Sequence, residues 1–291
     1  MEEVDIFGVK ISRVDYVSAI RVVEGFLANG KKHYVVTPNP EFLVLAQKDD
    51  EFRKVLNRAD LAIPDGIGLR MAAKFLSLPV SNFTIVKIPQ LVFQGLLVGA
   101  AAIFKPSLLD ILPHTVTGTD LMTGLCERAA KKGYSVFLLG GQNGVAEEAA
   151  KRLKKQFANL NIIGTYKGDS SSIPSSIFPA RNASRSEAGG HPPSSKIDLL
   201  FVAYGAPKQE KWIAANLSRM PVKVAMGVGG AFDFIAGRRK RAPEVLRHRG
   251  LEWFWRLVGE PRRLPRIFRA TARFPWLVLR QKLHPDSGVA K

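Results

Sequence analysis

The chain has one cysteine, Cys126, in 291 residues. That excludes a disulfide framework and any cysteine-based metal site. Cys126 lies in an apolar helical run, which points to packing. The five histidines, His33, His114, His191, His248 and His284, lack the spacing of metal ligands. No aspartate pair forms D-x-D, the usual metal-chelating signature of nucleotide-sugar transferases. A G-x-S-x-G nucleophile elbow and a G-x-x-x-x-G-K-[ST] phosphate loop are also missing. The start, Met1-Glu2-Glu3-Val4-Asp5, is acidic and lacks the basic and apolar parts of a signal peptide, so a cytosolic location is expected. A metal-independent reaction run by one carboxylate base is the chemistry left open.

Long apolar runs are scarce too. Ile88 to Phe104 is uncharged over 17 residues and contains Pro89, Gln90, Gln94, Gly95 and Gly99. That falls short of the roughly 20 apolar residues of a spanning helix. The stretch reads as a buried or interfacial hairpin, with a re-entrant membrane contact as the alternative.

What is present is a globular composition, 46% hydrophobic, with a lopsided charge of +18. Residues 236–291 hold 15 Lys and Arg against 4 Asp and Glu. A basic tail of this kind suits nucleic acid or an anionic membrane surface. Its tryptophans, Trp253, Trp255 and Trp276, stand among arginines, a mixture suited to an interface that is apolar on one side and phosphate-bearing on the other. The arginine fork also grips a diphosphate in a bidentate way, and RNA could be held by the same residue types through stacking.

Strand patterns over 4–11, 34–37, 60–63, 134–139, 161–165, 197–203 and 222–226 alternate with helical patterns over 15–28, 41–47, 51–58, 69–76, 121–132, 144–157 and 207–218. The alternation predicts an α/β fold, a Rossmann-like, mostly parallel sheet flanked by helices. Residues 80–112 break the rhythm as an apolar insertion, and 169–195, rich in Ser and Pro, read as a flexible surface loop. The expected organisation is a catalytic domain over 1–237 followed by a basic, aromatic appendage over 238–291.

Ligands of such sheets bind outside the carboxyl ends of the strands, and four strand ends here carry suitable residues. Ile63-Pro64-Asp65-Gly66-Ile67-Gly68 puts a carboxylate between a strand and a helix start. Taken alone, Asp65 reads more readily as a helix cap than as a catalyst. Thr37-Pro38-Asn39-Pro40 offers an amide that can donate and accept toward a sugar, or an Asx turn into the next helix. Leu139-Gly140-Gly141-Gln142-Asn143-Gly144 is a short phosphate cradle, with no acidic residue about 20 positions on to hold a dinucleotide ribose. Ala203-Tyr204-Gly205-Ala206-Pro207-Lys208-Gln209-Glu210 ends a strand at a helix start, followed by Gly227-Val228-Gly229-Gly230-Ala231-Phe232-Asp233.

These stretches, with V-T-G-T-D-L at 116–121, R-A-P-E at 241–244 and G-L-E-W-F-W-R-L at 250–257, resemble the WecG/TagA/CpsF glycosyltransferases, glycosyltransferase family 26. The resemblance runs in the family's order over residues 37 to about 266. It implies an inverting, cofactor-free transfer from a UDP-sugar donor to a polyprenyl-diphosphate-linked acceptor. The typical transfer is of N-acetylmannosamine onto N-acetylglucosamine, early in teichoic-acid or surface-polysaccharide synthesis at the inner face of the membrane. UDP-N-acetylmannosaminuronate or UDP-glucose are the alternative donors. The rival is a non-catalytic basic module on RNA or anionic membrane; the resemblance itself implies no nucleic acid partner.

By position, Asp65 matches the general base, Thr37 and Asn39 the donor-sugar pocket, and Gln209 and Asp233 the neighbourhood of the nucleotide, with Gly140 and Gly141 beside its phosphates. Arg256, Arg262, Arg263 and Arg266 fall where the family is thought to meet membrane and lipid diphosphate. The chain departs from the family pattern at His114-Thr115, where Glu-Arg is usual, and in the 80–112 and 169–195 segments.

Overall fold

The computed structural model describes residues 1–81, 83–168, 196–244, 246, 252–259 and 264–284, with backbone alone at Thr84, Trp253 and 256–258. The expected 169–195 loop lies outside the described residues. Two short strands, β1 (Glu3–Ile6) and β2 (Val9–Ser12), open the chain as an antiparallel pair. The sequence pattern reads there as one strand over 4–11. The chain instead reverses at Phe7 and Gly8, whose φ of 57° and 75° match a two-residue hairpin turn. The Gly8 amide donates to Asp5 Oδ1 at 2.8 Å and closes it.

The main sheet contains β3 (His33–Val36), β4 (Leu61–Ala62), β5 (Ser135–Gly140), β6 (Asn161–Tyr166), β7 (Ile197–Ala203) and β8 (Val222–Gly227). Their order is β4-β3-β8-β7-β5-β6, and every pairing is parallel, as the alternation of strands and helices requires. A parallel sheet is covered on both faces, so its strands are apolar along their length; every residue of β5 is buried. Side-chain alternation divides them between two cores: Phe137 and Leu139 under one face, Val136 and Leu138 under the other.

The first face is covered by α2 (Pro40–Ala46), α3 (Asp50–Asn57), α4 (Ile67–Ser77) and α8 (Lys208–Asn216). The second is covered by α1 (Tyr16–Ala28), α6 (Gly118–Lys132), α7 (Val145–Gln156) and α9 (Ala231–Ile235). Cys126 sits in this second core, where burial pushes its thiol up to about 12. That fits packing and leaves no thiolate nucleophile at neutral pH.

The 80–112 insertion is not a hairpin. It forms a single helix of 21 residues, α5 (Thr84–Phe104), and a short 3-10 turn (Pro106–Leu108). Pro89 lies early enough that the helix loses only one backbone bond. Gly95 and Gly99 continue the helix, and a Cβ at Gly95 would reach Phe75 of α4 only at 3.9 Å. Arg70 of α4 holds the far end of the insertion. Its buried guanidinium donates to the carbonyls of Leu112, Pro106 and Leu109 at 2.8–3.0 Å.

α5 is apolar on both its inner and its outer side. Leu91, Gln94, Val98 and Ala102 face the protein, whereas Ile85, Leu96 and Phe104 are 91%, 69% and 84% exposed. Its polar residues serve as anchors. Gln90 and Gln94 donate to the Pro79 carbonyl, and Lys87 to that of Leu283. Among the described residues it is the one helix long and apolar enough to cross a membrane by length and composition.

After a short helix (Glu252–Gly259) the chain ends in a helical run over 264–283. This run is α-helical at Leu264–Phe268, widens into a π turn at Arg269–Arg273, and closes with the helix Phe274–Leu283. Phe274 and Val278 belong to the same core as α2 and α4, and Phe274 meets Phe7 edge-on with ring centroids 5.6 Å apart.

Candidate active site at the carboxyl edge of the sheet

Three loops far apart in sequence are stitched together at the carboxyl ends of β3 and β4. The Asp65 amide donates to the Pro38 carbonyl at 2.8 Å, and the Val116 amide to the Pro64 carbonyl at 3.1 Å. The first contact fixes Asp65 against the Thr37–Pro40 turn, and the second brings in the 115–118 segment. Gly68 allows the fit: a Cβ there would stand 2.7 Å from Pro40 Cγ. The N-cap of α4 is Gly66, at φ 94°, so Asp65 lies one residue outside the cap position. That removes the simplest structural reading of its carboxylate.

Asn39 fills the role the Asx alternative describes. It caps α2, with Oδ1 accepting from the Phe42 amide at 3.0 Å. It also lines a cavity of about 890 Å³ together with Asp65, Thr115 and Thr117. This volume lies toward the upper end of ligand pockets, roughly 300–1,000 Å³. The cavity changes character along its length. Glu41, Glu252 and Arg266 add charge at the strand-end side, and the rest is apolar, between α4, α5 and the helix Phe274–Leu283. Thr37 is buried below the strand-end wall, against Gly118.

The charges of the polar half are paired in sets. Arg241 grips Asp120 with two bonds of 2.5 and 3.0 Å, and Thr117 Oγ1 donates to Asp120 Oδ2 at 2.7 Å. Asp120 holds Arg241 firmly protonated, and the more distant charges of Glu252 and Asp65 act in the same direction. A guanidinium therefore stands within electrostatic reach of Asp65, although Thr115 occupies the place where the family usually has arginine. Glu41, nearly buried, accepts from Arg266 Nε at 3.0 Å and from Arg269 Nη2 at 2.8 Å. Two cations share this one carboxylate, leaving a net positive charge where the cavity turns apolar.

The glycosyl transferase WecG/TagA/CpsF family matches this chain over residues 4–94 and 94–288, the two stretches meeting inside α5. The chain belongs to that family. It is similar to an N-acetylglucosaminyldiphosphoundecaprenol N-acetyl-beta-D-mannosaminyltransferase of Bacillus spizizenii, at 29% identity over 83% of this chain and 77% of the relative. Proteins of the same name from Staphylococcus aureus strains MRSA252 and MW2 are 26% identical over 91% of this chain and 88% of their own length.

As a glycosyltransferase of this family, the chain brings Asn39, Asp65 and Arg266 into one cavity, with Thr37 beneath. Gly140, Gly141, Gln209 and Asp233 stand farther along the same sheet edge, outside the cavity lining. Gly140 has φ 95°, and a Cβ there would come within 2.9 Å of the Ala203 carbonyl oxygen, so only glycine fits. Positive φ continues at Gly141, Asn143 and Gly144, and Arg238 holds the loop by donating to the Asn143 carbonyl at 2.5 Å.

Gln209 is buried. Its Oε1 accepts from the amides of Gly205 and Gly229, both at 3.0 Å, so it fixes the turns after β7 and β8 to each other. Its Nε2 donates to Glu210, whose carboxyl is pushed up to about 7 by burial. Asp233 lies 3.7 Å from Arg239 Nε. The side chain of Arg256, and Arg262 and Arg263 entirely, lie outside the described residues.

Sequence reasoning missed the parts played by Arg241, Asp120 and Glu41. R-A-P-E and T-P-N-P-E were visible as motifs, but nothing in their spacing says that Arg241 reaches Asp120 or that Glu41 meets Arg266.

Proposed function

We propose that the protein transfers N-acetylmannosamine from UDP to the N-acetylglucosamine of a polyprenyl-diphosphate-linked acceptor, with inversion, at the inner face of the cell membrane. The product belongs to teichoic-acid or surface-polysaccharide assembly. The observation that carries this reading is the cavity lined by Asp65, with Arg266 at its polar half and an apolar half behind it. The relatives' printed name supplies the sugar and the acceptor.

In the transfer, the acceptor hydroxyl oxygen attacks the anomeric carbon of the donor from the face opposite UDP. A new carbon–oxygen bond forms as the bond to the β-phosphate oxygen breaks, and the electron pair leaves with UDP. The hydroxyl proton passes to Asp65, a general-base contribution of about 10²–10⁴-fold in rate. From β4 to β5 the sheet spans four strand intervals, on the order of 19 Å in all. A nucleotide sugar lying along this edge would place its sugar near Thr37 and Asn39 and its nucleotide toward Gln209 and Asp233. The amides of the 140–144 loop and the Arg241 guanidinium would stabilise the departing diphosphate.

In this reading residues 1–237 carry the donor and the base, and 238–291 handle the acceptor and the membrane. The outward apolar face of α5, with the exposed Phe254, Phe268 and Trp276 of the basic C-terminal segment, fits an anionic lipid surface. The test is UDP release from UDP-N-acetylmannosamine with a lipid-linked N-acetylglucosamine acceptor. Asp65→Asn should abolish release while nucleotide-sugar binding persists; unchanged turnover would remove Asp65 from the mechanism.

A further inference from the structure

We infer that the apolar half of the cavity is a slot for the first isoprenyl units of the acceptor lipid, walled by α5 on one side and the helix Phe274–Leu283 on the other. The inference deepens the transfer reading and rests on it for the identity of the lipid. Its support is the order of the chemistry. The acceptor carries in sequence a sugar hydroxyl, a diphosphate and a branched hydrocarbon chain. The cavity carries in the same sequence the Asp65 carboxylate, the Arg266 guanidinium, whose counter-charge Glu41 is shared with Arg269 behind it, and a trough lined by Leu91, Val98, Val278 and Leu283.

The trough is held open by polar anchors. Lys282 is buried on the C-terminal helix and donates to Gln94 Oε1 of α5 at 2.9 Å and to the Phe75 carbonyl of α4, with its ammonium 4.1 Å from the Phe75 ring centre. Lys87 ties the other helix back to the Leu283 carbonyl. These bonds fix the spacing of three helices without filling the space between them. Gly95, on the lining, contributes no side chain to that space. Because α5 exposes its apolar outer face as well, the slot lies beside the layer in which a polyprenyl chain resides.

The test measures binding of farnesyl diphosphate and propyl diphosphate to the full chain by calorimetry, without detergent or vesicles. The farnesyl compound should bind about tenfold tighter or more, a modest return for burying several methylene groups. Gly95→Leu and Val92→Trp, both on the lining, should bring the ratio toward one. Gly99→Leu, on the same helix but off the lining and with open space at its Cβ, should preserve it. Equal affinity of the wild type for the two tails would overturn the slot, as would a preference that arises only when vesicles are added, or one that survives both filling substitutions. Transfer assays with the same two tails on the N-acetylglucosamine acceptor keep the readings apart. Transfer without tail preference overturns the slot alone, and tail-selective binding without transfer overturns the reaction alone.

Discussion

The two walls of the cavity are built on different rules. The strand-end wall follows the usual one: apolar strands buried beneath, polar groups such as Asn39, Asp65 and Thr117 held at the edge by backbone hydrogen bonds. The helical wall is apolar on both sides: Leu91 and Val98 line the cavity, Ile85, Leu96 and Phe104 face outward, and Gln90, Gln94 and Lys87 serve as anchors. The few polar groups on such a helix must find partners where water is excluded, and here the Pro79 and Leu283 carbonyls and Lys282 supply them. Under the proposed function, the strand-end wall would carry reactivity and the helical wall contact with hydrocarbon.

The comparison breaks first at Asp65. If the strand-end wall is the reactive one, Asp65→Asn should lower kcat by about 10²–10⁴-fold and leave the melting temperature and the Kd for donor unchanged. Turnover assays beside thermal melts read both. On the helical wall the sign pattern inverts. Phe274→Ala removes a ring that is 2% exposed in the common core, and should cost roughly 3–5 kcal/mol in urea unfolding. A much smaller loss would mean that the C-terminal helix is an appendage rather than part of the core.

Glu210 sharpens the contrast within the strand-end side, where one carboxyl is buried instead of presented. Its value is raised from 4.5 to about 7 by burial, so the folded state favours the protonated form. The contribution of Glu210 to stability is therefore greatest below about pH 4.5, falls as pH rises toward about 7, and is level above that. The slope in this window is roughly 1.4 kcal/mol per pH unit. Glu210→Gln should remove this term, so the mutant gains on the wild type between unfolding measurements at pH 5 and pH 8. The smallest stability effect belongs to the outer face of α5. Phe93→Ser with Leu97→Ser, at exposed positions, should change stability by no more than about 0.5 kcal/mol yet reduce sedimentation with anionic vesicles. Unchanged vesicle binding would place the membrane contact elsewhere.

Much of this was legible in the chain itself. The alternation of apolar strands and amphipathic helices determined the parallel sheet, because each element has to bury one repeating face. The glycine- and proline-punctuated strand ends marked the edge at which Asn39 and Asp65 line the cavity, because close backbone approach restricts the residue types allowed there. The bare sequence left Asp65 between cap and base. The fold gives the cap position to Gly66 and pins the Asp65 amide to the Pro38 carbonyl, which speaks against the cap.

Tertiary structure also decided what became of 80–112. Periodicity within that stretch does not reveal that its glutamines and Lys87 meet carbonyls and a lysine up to 196 residues away, and without those partners an uncharged run broken by Pro and Gly reads as a hairpin. The same holds for Arg241 on Asp120 and for Glu41 between Arg266 and Arg269. Local chemistry fixes which backbone shapes a segment can adopt. Which charge meets which depends on chain crossings that only the packed sheet sets.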